Sequence, residues 1–148
     1  ENYDTMWAQI HEMLYIERGG DEQVEGELSA YNPLIPQGSE LVATMMIEIE
    51  DERVRRQVLA TLGHIEDMIS LRFAGHTVTA VPGDDLERTT PEGKTSSVHF
   101  LRFPFSSAAK AAFKTPGTEI IAGIAHPKYG HMAVVPQEMR AALAGDFE

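Results

Sequence analysis

Two stretches of the sequence have the pattern of β-hairpins, and they limit the folds open to this chain. One hairpin pattern, MISLRFAGHTVTAVPG, turns at Ala74-Gly75, and the other, TEIIAGIAHPKYGHMAVVP, turns between Pro127 and Gly130. A short hairpin joins antiparallel strands, whereas parallel strands need a long crossover connection. The sequence therefore predicts a mostly antiparallel sheet.

Helical and further strand patterns surround these hairpins. Apolar residues recur at helical spacing in five segments: DTMWAQIHEMLYIERGG, DEQVEGELSAYNP, DERVRRQVLATLG, SSAAKAAFK and PQEMRAALAGDF. Two further strands are indicated, KTSSVHFLRFPF and ELVATMMIEIE, of which the second is apolar on both faces, as in a central strand. We therefore predict an α+β fold, with helices packed on a mostly antiparallel sheet of about five or six strands.

The length of 148 residues fits a single domain over residues 1–148. The first residue is Glu1 instead of Met, so we expect that an upstream N-terminal segment is missing. The sequence has no visible signal peptide and no apolar run long enough to span a bilayer. A cytoplasmic protein without membrane contact is the expectation.

The composition excludes several kinds of site. The chain has no cysteine, which excludes disulfides, thiolate zinc sites, cysteine-ligated iron–sulfur clusters and cysteine nucleophiles within it. Its net charge of −11 argues against nucleic acid as a partner, because neutralising phosphates needs a basic face. Histidine and carboxylate remain as metal ligands.

The strand KTSSVHFLRFPF carries two polar residues inside an apolar run. With the two-residue period of a strand, His99 shares a face with Leu101 and Phe103, while Arg102 points to the other face. Glu17 projects from the apolar stripe of the first helix, and an unpaired buried charge is costly. We predict an ion pair between Glu17 and Arg102. We also predict a buried His99 that either makes a structural hydrogen bond or acts as a ligand or proton carrier.

Histidines provide a second set of candidates. His126 and His131 flank the turn HPKYGH and could approach each other across paired strands. A metal site needs three or four ligands, so His11, His76, His99 or a carboxylate would have to contribute. The alternative interpretation of this segment is an exposed turn.

The loop LERTTPEGKT concentrates groups that can hold an anion, although its spacing is not that of a phosphate-binding P-loop. Together with the strand residues, it gives five candidate ligand-binding residues: Glu17, Arg88, Lys94, His99 and Arg102. An ordinary solvated loop is the alternative interpretation.

Four stretches, NYDTMWAQIHEMLYIER, AYNPLIP, LERTTPEG and GKTSSVHFLRFPF, together resemble a bacterial family known as domain of unknown function 3501. The resemblance covers nearly the whole chain. It implies an upstream basic helical segment and a short strand before Glu1. It also implies genes that neighbour those of rubrerythrin-like proteins and iron–sulfur or flavin oxidoreductases, and hence a link to redox or peroxide metabolism.

Three functions follow as hypotheses. The first is a cytosolic accessory or interaction protein of a redox or peroxide-stress system, with a rubrerythrin-like or iron–sulfur oxidoreductase as partner and a homodimer as its assembly. The second is a histidine-based metal or haem protein, supported by six histidines and seven methionines. The third is a binding protein or enzyme for a small anionic ligand. The sequence has no recognisable catalytic motif, so enzymatic activity is left open, and no cofactor is expected outside the second hypothesis.

Overall fold

The computed structural model describes residues 1–83 and 89–147, and it confirms the α+β class. Its α-helices in the described part of the chain are α1 (Tyr3–Glu17), α2 (Asp21–Tyr31), α3 (Glu52–Leu59), α4 (Ser107–Lys114) and α5 (Gln137–Leu143). Its strands are β1 (Glu40–Met46), β2 (Ile69–Phe73), β3 (His76–Thr79), β4 (Val81–Pro82), β5 (Val98–Pro104), β6 (Ile121–His126) and β7 (Tyr129–Val134). No helix in the described ranges is both long and apolar enough to cross a membrane.

The described strands divide into two antiparallel sheets instead of forming one. The first sheet has the order β1-β5-β4 and the second has the order β3-β2-β6-β7. Both predicted hairpins are present, β2 with β3 and β6 with β7. The predicted central position of β1 is wrong, because β1 is an outer strand of its sheet. Its two apolar faces contact two different hydrophobic clusters.

The larger cluster is a core that contains residues from both sheets, α4 and the C-terminal end of the chain. Leu41 of β1 and the β5 residues Leu101 and Phe103 are buried in it. Phe113 of α4 has its ring centroid 5.4 Å from that of Phe105, in an edge-to-face arrangement that aromatic rings favour. The residues of β5 that share a face with His99 are therefore core residues, as the strand pattern predicted.

A smaller cluster covers the other face of β1. Met6 of α1 packs there with Val42 and Leu34. The helix begins with a capping box in which the Asn2 side chain accepts a hydrogen bond from the Thr5 backbone N–H at 2.9 Å. The helical segment quoted from the sequence begins at Asp4, so the observed cap lies two residues earlier. This start orients Met6 toward β1, where it packs with Val42.

Candidate functional site

His99 lies at the centre of a buried polar cluster. Its side chain is 0% exposed, which confirms the predicted burial. The ring Nε2 atom is 2.9 Å from the Ser96 carbonyl oxygen and 3.2 Å from Thr95 Oγ1. The ring Nδ1 atom is 3.7 Å from a carboxylate oxygen of Glu66. The polar residue in this strand is therefore held by several neighbouring polar groups.

Glu66 is the other buried ionisable residue of the cluster. It lies in the 3-10 turn Ile65–Met68 and is only 5% exposed. Its carboxylate accepts hydrogen bonds from the hydroxyls of Thr89 at 3.2 Å and Thr95 at 3.5 Å. A buried carboxylate is tolerated only when donors surround it, and these hydroxyls are donors. We name Glu66, Thr89, Thr95 and His99 the Glu66–His99 cluster.

Residues 89–95 are the last seven residues of the loop LERTTPEGKT. They form a tight turn that brings Thr89 and Thr95 to Glu66. The Gly93 backbone N–H donates to the Thr90 carbonyl at 2.8 Å, and the Thr95 backbone N–H donates to the Leu59 carbonyl at 3.0 Å. Gly93 has a φ of 86°, in the left-handed region that favours glycine. A side chain at Gly63 would come within 2.5 Å of the Gly93 carbonyl oxygen, so the two backbones touch. The turn is therefore anchored to the packed structure through Thr89, Gly93 and Thr95, while Thr90, Pro91, Glu92 and Lys94 are exposed to solvent.

Carboxylate, hydroxyl and imidazole groups are the ones that enzymes use to move protons. In the described part of the chain, however, the hydrogen bonds of the Glu66–His99 cluster connect residues 89–95 to the Ile65–Met68 turn and to β5. The cluster thus ties the Ile65–Met68 turn to one later stretch of chain, residues 89–95 and the start of β5, through bonds that span 23 and 29 residues of sequence. We interpret it as a structural connection.

Replacing Glu66 with alanine should lower the free energy of unfolding by about 1–3 kcal/mol, because the donors that contact its carboxylate would lose a buried acceptor. Urea denaturation monitored by circular dichroism measures this change. Asp67→Ala is the matched control, since the side chain of Asp67 is 53% exposed and its loss should change stability by less than about 0.5 kcal/mol. Equal losses in the two variants would contradict a structural role for Glu66.

The predicted ion pair between Glu17 and Arg102 is wrong. Arg102 Nη1 lies 2.7 Å from Glu40 Oε1, and Nη2 donates to the Pro33 carbonyl. Glu17 is exposed and accepts a hydrogen bond from Gln23 Nε2 at 2.9 Å. The C-terminal end of α1 therefore faces α2, and a carboxylate on the neighbouring strand β1 takes the place predicted for Glu17.

The candidate anion-binding residues do not meet in the described structure. Arg102 is bound to Glu40 and Pro33, whereas the Lys94 backbone N–H contacts the Thr90 hydroxyl at 3.3 Å. Arg88 lies outside the described residues. A small anionic ligand therefore stays a prediction.

The four histidines predicted as metal ligands have separate surroundings. His126 is buried, with Nδ1 accepting from the Lys128 backbone N–H at 3.1 Å and Nε2 lying 3.2 Å from the Gly63 carbonyl, which assigns the proton to Nε2. His131 is exposed and lies on β7, opposite Ile124. His11 is exposed on α1.

Within residues 1–83 and 89–147, the one group of three close ligand atoms is that of His64, Glu66 and Asp67, and it includes none of the four predicted histidines. Two members of this group are exposed, and the third, Glu66, already accepts hydrogen bonds from threonines. The histidine-based metal or haem site stays a prediction.

A row of aromatic side chains lies on the exposed side of α1. Tyr3, Trp7, His11 and Tyr15 recur every four residues and are all exposed, with Trp7 at 56%. The rings of Trp7 and His11 are in contact, with centroids 4.1 Å apart. We name these four residues the α1 aromatic stripe. Met6 and Ile10 on the same helix are buried, and the helical geometry places the stripe to one side of the face that anchors α1.

Negative charge is concentrated around this stripe. Residues 1–31, which contain α1 and α2, carry eight carboxylates and one arginine, for a net charge of −7 out of the chain's −11. None of the residues of α2 is buried. The two helices thus present aromatic side chains within a strongly acidic, solvent-facing surface.

Comparison with known proteins places the chain in a family. A family model described as "Protein of unknown function (DUF3501)" matches residues 1–147. The chain belongs to the DUF3501 family. A crystal structure described as a novel protein of unknown function from Burkholderia pseudomallei is similar to this DUF3501 protein, with 44% sequence identity and a TM-score of 0.89. The match covers 100% of this chain and 77% of that one. No curated protein matches.

Sequence reasoning missed two parts of the candidate site in this DUF3501 protein. Glu66 lies in a short segment, HIEDM, that has neither helical nor strand periodicity, so no pattern indicated its burial. The exposure of Trp7 was also missed, because the helical pattern of α1 did not separate it from the neighbouring buried Met6. The available signal for Glu66 was indirect, namely that a buried His99 needs polar neighbours.

Proposed function

We propose that this DUF3501 protein is a cytoplasmic accessory protein that binds a protein partner through the α1 aromatic stripe. The observation that carries the proposal is the exposure of Trp7, the only tryptophan in the chain. Tryptophan and tyrosine are the side chains most enriched among residues that dominate protein–protein binding energy. An exposed tryptophan between two tyrosines keeps apolar surface in contact with water, which is unfavourable. Burial of that surface against a partner would therefore stabilise the complex.

The negative charge around the α1 aromatic stripe favours one kind of partner. The net charge of −7 over residues 1–31 favours a partner with a basic surface surrounding an apolar pocket for Trp7. Such complementarity accelerates association and rejects acidic competitors. It also makes binding weaker as the salt concentration rises.

The resemblance to the family supplies the first partners to test. The gene neighbours that the resemblance implies favour a role in a redox or peroxide-stress system, with a rubrerythrin-like protein or an iron–sulfur oxidoreductase as the proposed partner. The accessory protein would bind such an enzyme through α1 without contributing cysteine ligands, since it has no cysteine.

Site-specific photo-crosslinking in the native host tests the proposal. A photoreactive amino acid is placed at position 11, whose native ring contacts Trp7, at position 15, or at the control position 54, where Val54 is exposed on α3. Trp7 itself is left in place. We expect one discrete crosslinked protein from positions 11 and 15 and none from position 54, with mass spectrometry giving its identity. Crosslinking that is equal at all three positions, or that is absent from position 11, would overturn the proposal.

A further inference from the structure

Strand β7 is an outer strand of its sheet, and its side chains are exposed on both faces of that sheet. All six residues of β7 are exposed, including Met132 at 63% and Val134 at 62%. On its inner side β7 pairs with β6, and within the described residues no strand pairs with its outer edge. Unpaired strand edges are templates for pairing with another chain, so natural proteins usually protect them.

The direction of each backbone group on β7 is fixed by one hydrogen bond. The Val135 N–H donates to the Ile120 carbonyl at 2.8 Å, so the backbone groups of Val135 point toward β6. Backbone groups alternate between the two sides of an antiparallel strand. The N–H and C=O groups of Gly130, Met132 and Val134 therefore point outward at the free edge.

The usual protections of an edge are absent from this strand. Residues 129–134, YGHMAV, contain no lysine, proline or carboxylate, although the whole chain carries a net charge of −11. When two of these acidic molecules approach each other through β7, no carboxylates of β7 face each other, so this strand adds no repulsion between negative charges. The strand is thus suited to a second copy of the same chain.

We infer that β7 pairs antiparallel with β7 of a second copy, with the two-fold axis at Met132. Gly130 then opposes Val134 of the partner subunit, and Met132 opposes the partner's Met132, which uses all three outward-facing residues. If the pairing shifted by two residues in one direction, Lys128 would enter the ladder. Its backbone N–H, however, already donates to His126 Nδ1. A shift in the other direction would bring in Pro136, which has no N–H.

The side chains on both faces of this pairing are compatible. The two Met132 side chains meet on one face, beside Arg72, whose guanidinium contacts the Met132 sulfur at 2.7 Å within one subunit. On the other face, Tyr129 opposes Val135 of the partner subunit. Aromatic and β-branched residues stabilise cross-strand pairs. This surface is separate from the α1 aromatic stripe, and the inference does not depend on the proposed function.

Sedimentation velocity of the purified protein over a series of concentrations tests the inference. We expect a dimer for the wild type and for the control Met139→Lys, because Met139 is an exposed methionine on α5. Met132→Lys should be a monomer with an unchanged circular dichroism spectrum, since it places two like charges opposite each other at the axis. A monomeric wild type, or a dimer that persists in Met132→Lys, would overturn the inference.

A charge-complementation experiment separates this interface from a general loss of association. Met132→Lys and Met132→Glu should each be monomeric alone, because each opposes its own charge across the two-fold axis. An equimolar mixture should form a heterodimer, in which lysine faces glutamate. Absence of the heterodimer, when each variant is folded, would contradict pairing at Met132.

Discussion

Replacing Phe113 with alanine is expected to lower the free energy of unfolding by about 3–5 kcal/mol, as for other buried phenylalanines. Its side chain is 0% exposed, and its ring centroid lies 5.4 Å from those of Phe73 and Phe105 and 5.5 Å from that of Phe147. Removal of the ring leaves a cavity among aromatic side chains that cannot all move to fill it. Urea denaturation of the variant and the wild type measures the difference.

Leu28→Ala provides the control for Phe113→Ala. Leu28 lies on α2 and is 40% exposed, so its truncation should change the free energy of unfolding by less than about 1 kcal/mol. If Phe113→Ala lost no more stability than Leu28→Ala, the assignment of the main core to the region around α4 would be wrong.

The second large effect concerns partner binding. Trp7→Ala should weaken binding of the protein crosslinked at position 11 by roughly 30- to 1000-fold, which corresponds to the loss of about 2–4 kcal/mol typical of a dominant interface residue. Because the indole is largely exposed, the fold should be preserved. Isothermal titration calorimetry with the purified partner gives the two affinities, and circular dichroism verifies the fold.

Val54→Ala is the matched control for Trp7→Ala, since Val54 is exposed on a different helix and its loss should leave the affinity unchanged. Raising the salt concentration should weaken wild-type binding, because residues 1–31 are strongly acidic. Affinities that are the same for the wild type and Trp7→Ala would show that the stripe is not the binding surface.

Local patterns in the sequence predicted the elements of this fold well. Hairpins need only a turn and two alternating stretches, and both are formed by neighbouring residues, as at Ala74-Gly75. The face of β5 that carries His99, Leu101 and Phe103 followed from the two-residue period of a strand. Such features depend on residues close in sequence, and a single sequence contains that information.

Pairing between distant segments could not be predicted in the same way. β1 was expected in the centre of a sheet because both of its faces are apolar, but α1 covers one face and the main core covers the other. The partner of Arg102 was misassigned for a related reason, since Glu40 reaches it only through the pairing of β1 with β5. Periodicity gives the direction of a side chain and not the element that it meets.

The candidate interaction surface was missed because helical periodicity does not distinguish a buried flank from an exposed one. Trp7 lies one position after the buried Met6, and both lie near the apolar stripe of α1. Only the position of α1 on β1 shows that Met6 is covered and Trp7 is not. The accessory-protein hypothesis gained its specific surface from the structure.

Fluorine NMR of the protein labelled with 5-fluorotryptophan tests whether the partner covers the α1 aromatic stripe. The chain has one tryptophan, so the spectrum contains a single resonance, that of Trp7. On titration with the crosslinked partner, we predict that this resonance shifts and that the change saturates at one equivalent, because the exposed indole becomes buried. A resonance that stays unchanged while calorimetry shows the partner bound would contradict binding through the α1 aromatic stripe.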